Sequence, residues 1–197
     1  MKNTLRSSLF AIMALVTFTV IASAQTSPGK AFPGISIQNF GQMDDNFYRG
    51  AQPQPGDYKA LASMGIKTII DLRNDKESFA ESSAAAAGMK YVNIPMDGVS
   101  APSDSDIAEF LKIANDPATG KFYVHCKAGI HRTGVMGAVY RISHDGWDYD
   151  KTFAEMKNYE FSAGLFHGAL KSFVRSYSDK ALAGKSVAVA KAAATTN

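Results

Sequence analysis

Alternation and helical spacing divide the chain into short apolar stretches of two kinds. Ile35-Ser36-Ile37-Gln38-Asn39-Phe40 alternates apolar with polar side chains, the period of a half-buried strand. Asn46-Phe47-Tyr48-Arg49 is a shorter candidate, followed by the proline-interrupted Ala51-Gln52-Pro53-Gln54-Pro55-Gly56. Tyr58, Leu61 and Met64 mark a short helix ending at Gly65, and Lys67 to Leu72 is a strand running into Asp71 and Arg73. The alanine-rich Glu77 to Ala87 stops before Gly88 and reads as helix. Lys90 to Ile94 is a further strand, stopped by Pro95.

Ser103, with Asp106 three residues on, has the pattern of a capping box. Ile107, Phe110, Leu111 and Ala114 then form one face of an amphipathic helix. After Asn115 to Gly120, the run Lys121-Phe122-Tyr123-Val124-His125 predicts a strand. It enters a loop from Cys126 to Arg132, and Val135, Ala138, Val139 and Ile142 line a helix until Gly146. Asp150 reads as the cap of a helix holding Phe153 and Met156, and Phe166, Ala169, Leu170, Phe173, Val174 and Tyr177 mark the last amphipathic helix. Trp147 reads as core. Strands alternating with helices predict an α/β domain: a mainly parallel central sheet flanked by helices, with a helical C-terminal portion.

The ends of the chain read differently. Lys2 and Arg6 form a basic n-region, Leu9 to Ile21 is almost wholly apolar, and Ala22-Ser23-Ala24 is a small-x-small cleavage site. Residues 1–24 are therefore expected to be a signal peptide, too short in its apolar core to serve as a spanning anchor. The expected organisation is a leader over 25–34, one catalytic domain over 35–180 and a flexible alanine-rich tail over 181–197, with export to the periplasm or medium. Losing Lys2 and Arg6 lowers the formal charge of +3 by two, which leaves no general basicity to attract nucleic acid, and no further segment suggests a membrane. One cysteine excludes an intrachain disulfide framework.

That cysteine sits where chemistry is expected. Cys126 and Arg132 are close enough along the chain to face one loop centre, and the loop runs from a strand into a helix N-terminus, where backbone amides and the helix dipole favour an anion. Positive potential there lowers a thiol's pKa, a guanidinium grips two oxygens of a tetrahedral oxyanion, and Gly129 lets the backbone approach it closely. The pattern fits phosphoryl transfer through a cysteinyl-phosphate. Lys127 would stand on the rim of such a site. The histidines at 125, 131, 144 and 167 have no metal-ligand spacing, so neither metal nor cofactor is expected. For Asp71 and Arg73 a structural ion pair is favoured over a ligand contact.

His125-Cys126-x-x-Gly129-x-x-Arg132-Thr133-Gly134 matches the signature loop of the cysteine-dependent protein tyrosine and dual-specificity phosphatases. With Phe47-Tyr48-Arg49-Gly50-Ala51-Gln52-Pro53 and Gly65 to Arg73, the chain resembles the small atypical dual-specificity group. The resemblance implies Cys126 as nucleophile, Arg132 as phosphate clamp, Thr133 as the hydroxyl stabilising the thiolate, and His125 as the residue orienting the loop. Lys127, Ala128, Gly129, Ile130 and His131 would contact substrate. It also implies a general acid on a loop upstream, for which Asp97 is the first choice. Asp104 and Asp106 compete, but their place in the first turn of a helix explains them as capping groups. The expected substrate is a phosphorylated protein or a small phosphomonoester. An inositol phosphate is the alternative, since Lys127-Ala128-Gly129 and His131-Arg132-Thr133-Gly134 are similar to loops of phosphoinositide and inositol-pyrophosphate phosphatases, from which Ile130 departs. A sulfurtransferase and a non-catalytic phosphate-binding module are the readings from other classes.

Overall fold

The computed structural model describes residues 32–195, with side chains to Gly184. The expected signal peptide, and the leader up to residue 31, lie outside the described residues. Five strands form one sheet: β1 (Gly41–Gln42), β2 (Phe47–Gly50), β3 (Ile66–Arg73), β4 (Lys90–Met96) and β5 (Lys121–His125). Their order is β1-β2-β5-β3-β4, with only the β1/β2 pair antiparallel. The helices are α1 (Asp57–Ser63), α2 (Ala80–Ala86), α3 (Asp104–Ala114), α4 (His131–Tyr140), α5 (Tyr149–Asn158) and α6 (Gly168–Thr195). The expected α/β architecture is what the chain adopts.

Alternation along β5 explains the layers. Phe122 and Val124 face a core shared with Phe47, Ile70 and Leu72, covered by Ile107 and Phe110 of α3 and Met136 and Val139 of α4. Tyr123 faces the other way, into a core with Tyr48 and Ile69 covered by Tyr58 and Leu61 of α1 and Ala80 and Ala84 of α2. The outer face of α4, through Val135, Ala138 and Ile142, packs on α5 and α6. With both faces covered, β5 is fully interior, as a parallel strand requires. Its carboxyl end lies level with those of its neighbours, Gly50 pairing with His125 and Asp71 with His125 in register. Loops leaving that edge share one crevice, where open α/β sheets bind ligands.

Several local expectations are corrected. Ile35 to Phe40 forms turns rather than a strand: Ile37 and Phe40 still bury, but Asn39 takes a left-handed φ of 55° that breaks the alternation. Pro95 does not stop β4, because β4 is an edge strand and a missing N–H there costs no ladder bond. Asp148, not Asp150, caps α5, its carboxylate accepting from the Lys151 amide. Trp147 is half-buried outside the core, with the Arg141 guanidinium 4.3 Å and the Lys151 ammonium 3.9 Å from its ring centroid. Past Ala181, α6 continues as helix to Thr195; alanine-rich sequence has high helix propensity and α6 supplies the nucleus. The capping box at Ser103 forms as expected, the Ser103 hydroxyl accepting from the Asp106 amide.

Candidate active site

The cysteine loop is held against the sheet by its glycine. Gly129 has φ 71°, and a Cβ there would overlap the Gly50 carbonyl and the Ala51 nitrogen, so only glycine lets the loop lie this close to the end of β2. Its carbonyl accepts from Arg49 Nη2 at 2.7 Å and from Asn39 Nδ2 at 3.0 Å. The Gln52 amide donates to the Lys127 carbonyl at 3.1 Å, tying the first half of the loop to the same neighbour.

Cys126, only 4% exposed, begins this loop. Burial pushes its thiol pKa up, but the Thr133 hydroxyl and amide, the Arg132 charge and the Gly129 amide outweigh that and leave it below the ordinary value. The Thr133 hydroxyl is fully buried and has no hydrogen bond of good geometry to an oxygen, nitrogen or sulfur, so it is free to turn to the sulfur as the thiolate forms. His125 is buried beneath the loop and stacks on Tyr123. Burial lowers its pKa to about 4, against the pull of Asp71, whose Oδ1 is 3.7 Å from Nδ1. A neutral ring orients the strand end but contributes no charge to the thiolate.

Arg132 stands in the first turn of α4. Its Nη1 donates to the Met96 carbonyl at 2.9 Å and to Asn74 Oδ1 at 3.3 Å, with Asp75 Oδ1 at 3.9 Å. Asn74 and Asp75 went unnoticed in the sequence, since neither belongs to a motif. Asp97 is exposed beside this group: Gly98 packs close over the Arg132 guanidinium, while Asp97 Oδ1 accepts from the Val99 and Ser100 amides at 2.8 and 2.7 Å. Bonds from the Ser100 hydroxyl, then from the Ser100 and Val99 amides, lower its pKa. Asp106 completes the α3 capping box and Asp104 lies in the same first turn, so their structural reading holds.

Of the remaining loop residues, Lys127 is exposed and Ala128 and Ile130 are half-buried. His131 is half-buried. Its ring stacks on His167 with centroids 3.5 Å apart, and Nε2 lies 3.1 Å from the Ser162 carbonyl, joining the loop to the segment before α6. Asp71 and Arg73 do not pair side chain to side chain. Asp71 accepts from the Tyr91 hydroxyl and the Arg73 amide, whereas the Arg73 guanidinium binds Asp75, Glu77 and Gln52. Two positions apart, they would share a face in a regular strand, but the register of β3 against β4 shifts between them and their side chains take different partners. A cleft of about 520 Å³ opens beside Lys127, lined also by Ser36, Gln52, Gln54, Asp57 and Glu77. Among the described residues no three His, Cys, Asp or Glu side chains converge as a metal site.

Known proteins resemble this arrangement. NAD kinase 2, chloroplastic, of Arabidopsis thaliana is 35% identical over 96 residues, 46% of this chain and 10% of that protein. Dual specificity protein phosphatase TpbA of Pseudomonas aeruginosa is 25% identical over 119 residues, 60% of this chain and 53% of the relative. The chain thus spans about a tenth and about half of these curated relatives. The crystal structure of P. aeruginosa TpbA superposes with a TM-score of 0.63 at 24% identity, covering 80% of this chain and 91% of that one, and the fold is the same. The core catalytic domain of the PP-IP phosphatase SIW14 from S. cerevisiae gives 0.63 at 22% identity, covering 77% and 94%. The family model described as a DSP-PTPase phosphatase fused to NAD+ kinase matches residues 35–176, and since that span takes in every described strand and the whole cysteine loop, the chain belongs to this phosphatase family.

Proposed function

We propose that the protein is an exported phosphatase that hydrolyses phosphomonoesters of serine, threonine or tyrosine side chains through a cysteinyl-phosphate intermediate. One observation carries this reading: a buried thiol is nevertheless held toward its thiolate, at the mouth of a helix N-terminus with Arg132 in the first turn. The Cys126 sulfur attacks phosphorus, forming P–S as the ester P–O bond breaks, and the leaving oxygen takes a proton from Asp97. Water then attacks the phosphorus, Asp97 receives its proton, and thiolate and inorganic phosphate are released. Arg132 exchanges its bonds to Met96 and Asn74 for two phosphate oxygens. Losing Met96 as a partner loosens the Asp97 turn, so that the carboxyl sheds the amide bonds that hold its pKa low.

The mouth favours a single phosphate. Ile130 supplies no charge. Burial, then the neighbouring His167, lowers the His131 pKa, and the cleft beside Lys127 also holds Asp57 and the Arg73–Glu77 pair. A polyanion would meet the Asp57 carboxylate there. Export is supported by Lys2, Arg6, Leu9 to Ile21 and Ala22-Ser23-Ala24; N-terminal sequencing of protein recovered outside the cytoplasm is expected to start at Gln25.

Purified mature protein should turn over phosphotyrosine or phosphothreonine peptides, and neither inositol hexakisphosphate nor thiosulfate. Cys126→Ser should remove at least about a thousandfold of the rate. Asp97→Ala should slow poor leaving groups far more than activated aryl phosphates. Turnover confined to inositol hexakisphosphate would move the assignment to the inositol phosphate phosphatases.

A further inference from the structure

We propose that Arg49 is a positioning residue for the reaction, its buried guanidinium holding the Gly129 carbonyl away from the phosphate site and taking the Cys126 thiolate as its counter-anion. The inference rests on the phosphatase reading for its purpose but not for its geometry. Arg49 lies opposite Val124 in the parallel β2/β5 register, so its side chain shares a sheet face with Phe47 and Val124, and Cys126 follows two residues after Val124 on that face. The side chain is 1% exposed. Gly134 and Gly137, on the inner side of α4, leave it room: a Cβ at Gly137 would stand 3.5 Å from Nη1, and one at Gly134 4.0 Å from Nη2. The guanidinium lies 3.9 Å from the centroid of the Tyr159 ring.

Burying a cation without a carboxylate is costly, and a fold tolerates it only when some anion compensates. Among the described residues Arg49 has no carboxylate partner within ion-pair distance, and its Nε has no hydrogen-bond partner. Tyr159, Glu155, Cys126 and Tyr123 are the ionisable groups whose charge acts on it most. Burial holds both tyrosines above the ordinary phenol pKa, so they stay neutral. Glu155 accepts from Nε and Nη2 of Arg141 at 2.7 to 3.2 Å, and the same guanidinium binds Asp145 at 2.6 Å. Cys126, on the sheet face that Arg49 occupies, is the one of these groups inside the site itself, as a thiolate at rest and as a phosphorylated sulfur during turnover. Burial lowers the Arg49 pKa and the Cys126 charge opposes that, so cation and thiolate favour each other's ionisation.

The second half of the proposal is geometric. Phosphate binding needs loop amides pointing inward, so the carbonyls must point out. Arg49 and Asn39 together hold the Gly129 carbonyl outward, and Asn39 also donates to the Tyr159 carbonyl at 3.1 Å.

Alkylation by iodoacetamide as a function of pH separates charge from geometry, and with a single cysteine in the sequence the signal has one source. Arg49→Met should raise the alkylation midpoint by about one pH unit, roughly a tenfold loss of thiolate below it. Arg49→Lys should keep the midpoint close to wild type while raising KM for an aryl phosphate, because the charge stays and the fork is lost. Asn39→Gly preserves the left-handed backbone and should raise KM without moving the midpoint. A folded Arg49→Met with an unchanged midpoint overturns the proposal, as does an Arg49→Lys midpoint displaced by a full unit. Should Arg49→Met fail to fold, the other two variants decide alone. Since alkylation needs no substrate, wild-type protein inert toward every phosphomonoester would sink the phosphatase reading and leave the midpoint result standing.

Discussion

At Cys126 two opposing effects act on one atom: burial favours the neutral thiol, and hydrogen bonds from Thr133 and Gly129 with the Arg132 charge favour the thiolate. The second set prevails because several donors converge on a sulfur that little water reaches to compete. His125, one residue earlier, has Asp71 and the Cys126 backbone opposing burial, but they do not outweigh it. Its pKa falls from 6.5 to about 4 through burial, so between those values the unfolded chain binds a proton that the native protein refuses. Stability therefore falls as pH drops below 6.5, and the loss is complete at about pH 4. From this residue alone it amounts to about 3 kcal/mol. Denaturant titrations at pH 7 and pH 4 should show it, and His125→Asn should flatten that part of the profile; an unchanged slope would mean the ring is accessible to protons. Cys126, Arg132 and Gly129 were legible as chemistry because a motif with fixed spacing names them. Arg49 belonged only to a flanking resemblance, since a buried cation leaves no periodic mark.

Among the elements, the contact between the cysteine loop and the end of β2 governs the site. A side chain at Gly129 meets backbone rather than a flexible chain end, and must also adopt φ 71°. Gly129→Ala should accordingly cost about 3 kcal/mol, read as a melting temperature lowered by roughly 10 °C, with phosphatase activity lost even where the protein stays folded. An active, undiminished variant would show that the loop can lift from β2 without losing its shape. Periodicity found β2, β3, β5 and the inward face of α3, because their burial follows a regular alternation. It misread Ile35 to Phe40, where Asn39 leaves the extended conformation while its amide binds Gly129 and Tyr159 across the fold. It misread Pro95 for a different reason: whether a strand lies at an edge depends on the order of strands, and no single segment encodes that.

For the molecule as a whole, the proposed export and the single cysteine combine into one liability. A thiolate in an oxidising compartment reacts with peroxide to a sulfenic acid, and no second cysteine in the sequence can convert it to a protecting intrachain disulfide. Mild peroxide should inactivate the enzyme and thiol should restore it at low doses; full activity after exposure would show that burial shields the sulfur. The sequence by itself determined the α/β class, the reaction class implied by Cys126 and Arg132, and the glycine on which their loop turns, because local periodicity and a short motif carry that information. Only the tertiary structure decided what surrounds the loop. It placed Arg49 and Asn39 behind Gly129, set Arg132 against Met96 and Asn74, folded Asp97 into its own turn, and stacked His131 on His167. Those partners lie from about thirty to ninety residues from the loop positions they touch, and the order of the strands in the sheet brings them together.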